Sequence, residues 1–171
     1  MLDAPLIGPY DPDGVLAREA DGPRTARQFL SDVSRLADSL PDRPAVLNLL
    51  SSRYEFLVGF AAAMLRGQVT LLPQSRAPQT LRRIAGEYRD SYCLTNQDEP
   101  VEGIESLFLR RHGSLAGWPK RIPHIPLDRV AAIAFTSGST GQPMPNRKTW
   151  RALTAVALAT GARLGLTTGR Q

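Results

Sequence analysis

Hydrophobic positions in the first half of the chain alternate between helical stripes and short apolar runs. In residues 26–40 the apolar side chains recur at helical spacing along one face, and Thr25 followed by Gln28 forms a capping-box pattern. Pro41 cannot continue such a helix. The apolar positions of this stripe are Ala26, Phe29, Leu30, Val33, Leu36, Ala37 and Leu40. The pattern predicts an amphipathic helix over residues 26–40.

Two further stripes follow at helical spacing. Ser52 and Glu55 form a second capping-box pattern, and Gly67 is a suitable residue to end the helix that follows. Pro78 is suited to the first turn of a third helix. The inward positions predicted for the second helix are Phe56, Leu57, Phe60, Ala61, Met64 and Leu65, and those for the third are Leu81, Ile84, Ala85 and Tyr88.

Short apolar runs separate these helices and predict buried strands. They cover residues 45–50, 68–72 and 91–95, each with proline or small polar residues nearby. Strands that alternate with helices favour a parallel sheet covered by helices, because a parallel connection needs a crossover segment. The sequence therefore predicts an α/β fold with a parallel-type sheet flanked by helices.

The remaining segments are less regular. Residues 1–23 are rich in proline, glycine and aspartate and predict an irregular arm, and residues 111–128 contain three prolines and predict a long surface connection. Residues 104–110 and 129–135 are candidate strands. After Pro143 and Pro145 the pattern becomes helical again, with these inward positions expected: Trp150, Leu153, Val156, Ala157 and Leu164.

Composition and charge narrow the class of protein. The 171 residues suit one ordinary domain, and 21 basic against 16 acidic residues give a net charge of +5. The basic residues are scattered, which suits an anionic small ligand or a solvated surface and argues against a nucleic-acid partner. The longest apolar stretch, residues 56–65, is too short to span a membrane, and residues 1–10 lack the features of a signal peptide. We therefore expect a cytoplasmic protein.

Cysteine and histidine give no sign of a metal site. The single cysteine, Cys93, excludes an intramolecular disulfide and a zinc site built on paired cysteines. It falls within a predicted strand and is expected to be an inert core thiol. His112 and His124 stand in proline- and glycine-rich segments without neighbouring ligands, so no metal centre is expected.

One segment combines residue types that suit a phosphate. Directly after the strand predicted at 129–135 come two glycines and four hydroxyl side chains: Thr136, Ser137, Gly138, Ser139, Thr140 and Gly141. Glycine lets backbone N–H groups approach a ligand closely, and the hydroxyls add short donors. The alternative is a simple flexible loop. The glycine spacing matches neither a Walker A loop nor a dinucleotide-binding fingerprint.

Residues 135–143, which read Phe-Thr-Ser-Gly-Ser-Thr-Gly-Gln-Pro, resemble the phosphate loop of the adenylate-forming superfamily. That superfamily comprises acyl- and aryl-CoA synthetases, adenylation domains of nonribosomal peptide synthetases, and luciferases. The order of helices and strands from Thr25 to Trp150 is similar as well. The resemblance implies the fold of the N-terminal subdomain of these enzymes, in an incomplete form.

The resemblance also implies an activity. Members of the superfamily join a carboxylic acid to ATP in the presence of Mg²⁺, release pyrophosphate, and pass the acyl group to a thiol such as CoA or a carrier protein. Carried over by position, residues 136–141 would hold the ATP phosphates. The superfamily usually has lysine where this chain has Met144, and Lys148, expected on the following helix, is the candidate to replace it.

The superfamily's later motifs are absent from residues 142–171. The resemblance therefore implies that residues 24–171 are a partial AMP-binding (adenylation) domain that ends shortly after the phosphate loop, with residues 1–23 as an arm. We expect such a chain to be inactive alone and to expose a sheet edge and an apolar face. The alternative is a noncatalytic remnant or interaction domain with the same fold.

Overall fold

A computed structural model describes residues 2–8, 11–97, 100–109, 121–137 and 143–165. Four helices and ten strands lie within these ranges. The helices are α1 (Ala26–Ser39), α2 (Arg53–Leu65), α3 (Pro78–Glu87) and α4 (Trp150–Arg163). The strands are β1 (Asp3–Pro5), β2 (Val15–Glu19), β3 (Gly22–Thr25), β4 (Ala45–Asn48), β5 (Val69–Leu72), β6 (Ser91–Thr95), β7 (Ser106–Phe108), β8 (His124–Pro126), β9 (Val130–Ser137) and β10 (Pro143–Thr149).

Six of the strands form one sheet in the order β10-β9-β5-β4-β6-β7. Five of them run parallel, and β10 pairs antiparallel with β9 at one edge. The helical crossovers α2 and α3 connect β4 to β5 and β5 to β6, which is what parallel pairing requires. The predicted α/β class with a mainly parallel sheet is confirmed. All five carboxyl ends of the parallel strands consequently lie at the same edge.

Helices cover both faces of this sheet. One core cluster packs Val46 and Leu94 against α1 and α2, and the other packs Leu47 and Cys93 against Leu81 of α3. Side chains alternate between the two faces of a strand, so β4 contributes to both clusters. All four residues of β4 are buried, which explains why the sequence shows a continuous apolar run there.

The predicted helix starts agree with the structure. At α1 the Thr25 hydroxyl accepts from the Gln28 N–H and the Gln28 side chain accepts from the Thr25 N–H, so the capping box is complete. At α2 the Ser52 hydroxyl accepts from the Glu55 N–H. Pro78 begins α3 as expected. These local bonds satisfy backbone donors that a helix would otherwise leave unpaired.

The expectation of an irregular arm over residues 1–23 is wrong for much of that segment. Strand β1 pairs antiparallel with β8, which lies in the segment expected to be a surface connection, and Ile125 of β8 is buried in the core. Strands β2 and β3 form a hairpin in which Gly22 adopts a φ of 131°, a conformation that favours glycine. Burial of Ile125 and the glycine turn outweigh the proline-rich composition.

The helix expected after Pro143 and Pro145 begins later than the pattern suggested. Residues 143–149 instead form β10, and the helix begins at Trp150 with Thr149 as its N-cap. Proline is tolerated here because β10 has no neighbour on its outer side within the described sheet, so a missing N–H breaks no ladder.

The inward positions expected on α4 are only partly correct. Trp150 and Leu153 pack against the core, and the Trp150 indole N–H donates to the Ala4 carbonyl at 3.4 Å. Val156, Ala157 and Leu164 are exposed instead, since no described element lies over that part of the helix. No residue of α4 is buried among the parts of the chain that the structure covers.

Gly59 marks the closest approach of α2 to the sheet. A Cβ added there would lie 2.9 Å from Asn48 Nδ2, 2.9 Å from Leu94 Cδ2 and 3.0 Å from Leu50 Cδ1. These atoms belong to buried side chains, and Asn48 is held by a hydrogen bond to the Phe56 carbonyl at 3.0 Å. A side chain at this position would therefore force α2 or these buried side chains to shift.

We predict that Gly59→Ala lowers the free energy of unfolding by about 1–3 kcal/mol, because overpacking this contact displaces core side chains. The matched control is Gly86→Ala in α3, where an added Cβ meets no atom within 4 Å. The control is expected to raise stability by about 0.5 kcal/mol through helix propensity. Urea denaturation of both variants measures the difference, and equal effects would contradict the packing argument.

Candidate functional site

The predicted phosphate loop connects β9 to β10. Ser137 ends β9 and is paired with Pro143 at the start of β10, and Thr136 is paired with Met144. Residues 138–142 therefore join two adjacent antiparallel strands at the carboxyl end of β9. Gly138, Ser139, Thr140 and Gly141 lie outside the described residues. Thr136 is exposed at this edge of the sheet, where α/β folds commonly bind ligands.

Lys148 lies elsewhere than the sequence suggested. It stands on β10 rather than on the following helix, paired with Ala132 and half-buried. Four strand positions separate Ala132 from Thr136, which is about 14 Å along β9. Met144, which takes the position of the superfamily's lysine, is directly opposite Thr136 and 61% exposed. Along the two strands, Met144 is therefore level with Thr136, whereas Lys148 is four positions away from that level.

Arg76 holds the backbone that follows the carboxyl end of β4. The sequence did not predict this role. It follows β5, and its guanidinium donates to the Leu49 carbonyl at 3.0 Å and to the Leu50 carbonyl at 3.2 Å. These two carbonyls follow β4 and belong to buried residues. The planar fork of arginine suits two adjacent acceptors. Arg76 therefore fixes the connection between β4 and α2 rather than pointing its charge at an open site.

A polar network joins the carboxyl ends of β4 and β6. The Asn96 side-chain amide donates to the Ser51 hydroxyl at 3.0 Å and to the carboxylate of Glu55. The Glu55 residue is only 6% exposed. The Ser52 hydroxyl, which also caps α2, donates to the carboxylate of Glu19 from β2. The network ties α2, β6 and the N-terminal hairpin together at the edge that carries the predicted loop.

The sequence carried a partial signal for this network. Asn48 is the last residue of β4, and Asn96 directly follows β6. A polar residue at the end of a buried apolar strand in an α/β protein points to the edge where ligands bind. Arg76 offered no such signal, because three residues separate it from β5 and its partners are backbone atoms.

The tyrosine and cysteine side chains whose pKa is raised belong to the core rather than to a reactive centre. Burial raises the pKa of Tyr54, and the 2.7 Å hydrogen bond it donates to Asp32 raises it further. Burial also raises the pKa of Tyr92, whose hydroxyl donates to Gln68 at 2.9 Å. Burial raises the pKa of the Cys93 thiol to about 11, so this thiol stays protonated at neutral pH, as expected of an inert core residue.

The described residues contain no group of three or more histidine, cysteine, aspartate or glutamate side chains that could hold a metal ion. They also contain no helix that is both long and apolar enough to cross a membrane.

Comparison with solved structures identifies the fold. The N-terminal subdomain of NpsA from Klebsiella oxytoca, in complex with 3-hydroxybenzoyl-AMSN, matches 82% of this chain at a TM-score of 0.63 and 20% identity. The o-succinylbenzoate CoA synthetase MenE from Bacillus subtilis, in complex with ATP and magnesium, matches 91% at a TM-score of 0.71 and 19% identity. PA1221, an NRPS protein containing adenylation and PCP domains, matches 84% at a TM-score of 0.64 and 22% identity.

The match covers only part of each of these proteins. The chain spans 38% of the NpsA subdomain structure, 45% of the MenE chain and 30% of PA1221. No protein-family model matches the sequence, and no curated protein matches it. The chain therefore has the fold of the N-terminal subdomains of adenylate-forming enzymes, over less than half of the length of each of these structures.

We predict that Asn96→Ala lowers the free energy of unfolding by about 1–2 kcal/mol, because it removes a donor from the buried Glu55 carboxylate. The matched control is Gln97→Ala, since Gln97 is adjacent and exposed. The control is expected to change stability by less than about 0.5 kcal/mol. Chemical denaturation of the three proteins at pH 7 measures this, and a loss no larger than that of the control would contradict the role of Asn96.

Proposed function

We propose that this chain is a portion of an ATP-dependent carboxylate-activating ligase in which residues 136–141 receive the ATP phosphates. The observation that carries the proposal is that this Ser/Thr/Gly segment begins with the last two residues of β9, at the carboxyl edge of a sheet with the fold of adenylate-forming enzymes. In the proposed reaction a carboxylic acid attacks ATP, giving an acyl- or aryl-adenylate and pyrophosphate. The acyl group then passes to a thiol of CoA or a carrier protein.

The residues at this edge suit that chemistry. Attack at the α-phosphorus builds negative charge on the departing pyrophosphate, and prepositioned hydroxyl and backbone donors stabilise that charge. Thr136, exposed near the end of β9, is the first of these donors, and the hairpin register pairs Ser137 with Pro143 on either side of residues 138–142. Mg²⁺ is usually held by phosphate oxygens and one or two carboxylates, so in the proposed site it would enter with ATP.

Substitution within the loop tests the proposal. We predict that the double variant Ser139→Ala, Thr140→Ala weakens ATP binding by about tenfold or more, because each lost hydroxyl donates to a charged oxygen. Isothermal titration of the chain with ATP and Mg²⁺ measures the dissociation constant. Lys148→Gln is expected to have a smaller effect than the loop variant, since Lys148 pairs with Ala132, four strand positions from Thr136.

The matched control for the loop variant is Thr160→Ala, which removes an exposed hydroxyl from α4. It is expected to leave ATP binding unchanged. Equal affinity of the loop variant and this control would remove the support for a phosphate role of residues 138–142. An effect of Lys148→Gln as large as that of the loop variant would restore Lys148 to the phosphate site.

A second candidate function is a noncatalytic interaction domain with the same fold. The observation that supports it is the exposure of three apolar side chains on α4 and just after it, Val156, Leu158 and Leu164, each about two-thirds exposed or more. Isolated exposed apolar residues are ordinary, but several on one helix mark a contact surface. A partner that covers α4 would remove these apolar side chains from water, and this function needs no ATP binding at the loop.

Carboxylate-dependent exchange of pyrophosphate into ATP separates binding from catalysis. We predict no exchange by this chain alone, because the proposal assigns it phosphate contacts but neither an acyl pocket nor a catalytic group. The assay should include a panel of acyl and aryl acids with ATP, Mg²⁺ and labelled pyrophosphate. Exchange above the protein-free rate would show that the chain is a self-sufficient catalyst, and the proposed partial role would be wrong.

A further inference from the structure

A cavity lies at the opposite end of the sheet from the predicted loop, by the amino ends of β4, β6 and β7. Its volume is about 420 Å³, within the range of small-molecule sites. The residues that shape it come from the segment before β4, from α3, from the start of β6 and from the segment before β7. They include Arg43, Arg82, Gly86, Arg89, Ser91 and Glu105.

The cavity is rich in arginine. Arg43 pairs with Glu105 at 2.7 Å, and Arg82 pairs with Glu102 at 3.2 Å. All four side chains are more than a third exposed, so these ion pairs are weak and an incoming anion can rearrange them at small cost. No carboxylate among the residues that the structure covers pairs with Arg89. The lining thus carries three guanidinium groups against the single carboxylate of Glu105.

Ser91 supplies an independent sign of a ligand. It is the first residue of β6, its exposure is only 8%, and it lines the cavity. Its Oγ is buried and has no hydrogen-bond partner within the described ranges. Buried hydroxyls are nearly always satisfied, and one without a partner calls for an acceptor or donor that the protein itself does not provide. The Ser91 Oγ has almost no accessible surface as it stands, and rotation of this side chain toward the cavity would bring it to an oxyanion held by the neighbouring arginines.

We propose that this cavity binds a small phosphate-bearing anion, with the guanidinium groups of Arg43, Arg82 and Arg89 around the phosphate and the Ser91 hydroxyl donating to one of its oxygens. Arginine is the side chain best matched to phosphate, because its fixed fork donates to two oxygens at once. Ala85 and Ile104 give the cavity an apolar wall that suits the organic part of a phosphomonoester. The site is separate from the β9–β10 loop and does not depend on the proposed function.

Titration with inorganic phosphate and with glycerol 3-phosphate tests the site, at constant ionic strength and with glycerol as the uncharged comparison. Chemical shifts of the arginine Nε–H groups and of the Ser91 amide report binding residue by residue. We expect saturable binding with a dissociation constant of about 1 mM or below for at least one phosphate probe, and none for glycerol. Tighter binding of glycerol 3-phosphate supports an organic phosphate, and equal binding supports inorganic phosphate.

Two variants that each remove one positive charge distinguish phosphate binding at this cavity from general electrostatic attraction to the protein. Arg89→Gln is expected to weaken phosphate binding about tenfold, because it removes a guanidinium that faces the anion. Arg151→Gln removes the same charge from an exposed position on α4 and is expected to change the affinity by less than about twofold. Equal losses in the two variants would show that phosphate responds only to net charge, which would overturn the proposal.

A variant that fills the cavity keeps the test independent of charge and folding. Gly86 lines the cavity from α3, and an added Cβ meets no atom within 4 Å, so the backbone has room for a side chain at this position and Gly86→Leu is chosen to occupy the cavity. Leucine also favours the helix more than glycine does, so the fold is expected to remain intact by circular dichroism. Phosphate binding is expected to be lost. Retained binding in Gly86→Leu, or no saturable binding by the unaltered chain up to about 20 mM phosphate, would overturn the site.

Discussion

Burial of β4 on both of its faces is the constraint on which the rest of the structure depends. Its backbone pairs with β5 on one side and β6 on the other, and its side chains enter both core clusters. A strand enclosed in this way needs helices above and below it, and it needs neighbours whose pairing leaves no backbone group unsatisfied. The parallel direction of those neighbours then gathers all their carboxyl ends at one edge and all their amino ends at the other.

This arrangement explains which parts of the fold the sequence could predict. The helix stripes, the Thr25 capping box and the apolar runs at 45–50 and 91–95 are local patterns, and each led to an element that the structure contains. Strand β10 could not be predicted in the same way, because Pro143 and Pro145 are poor strand residues except at an edge. Whether a strand lies at an edge depends on the whole sheet, so no local pattern reveals it.

The two candidate sites also differ in whether a local sequence pattern or the arrangement of the whole sheet brings their residues together. The proposed phosphate loop is contiguous in sequence, so its residue types can be recognised from the amino-acid order alone, whereas the position of Lys148 opposite Ala132 follows only from the register of β9 with β10. The arginine cavity combines residues from position 43 to position 105 that no sequence pattern connects. Only the parallel pairing of Ala45 with Ser91, which brings the start of β6 beside the segment before β4, places Arg43 and Ser91 at one cavity.

The edge of β10 and the exposed apolar side chains of α4 differ in how well their own residues protect them from association. Strand β10, at one edge of the described sheet, carries two prolines and two basic residues, which are features that discourage addition of a further strand. Helix α4 has no comparable protection, because its leucine and valine side chains face solvent beyond the first turn. Both candidate functions therefore need a contact surface that covers α4. They differ only at the loop, since an interaction domain needs no phosphate contact at residues 136–141 and a ligase does. Phosphate affinity at the loop, rather than association through α4, is thus the property that separates the two functions.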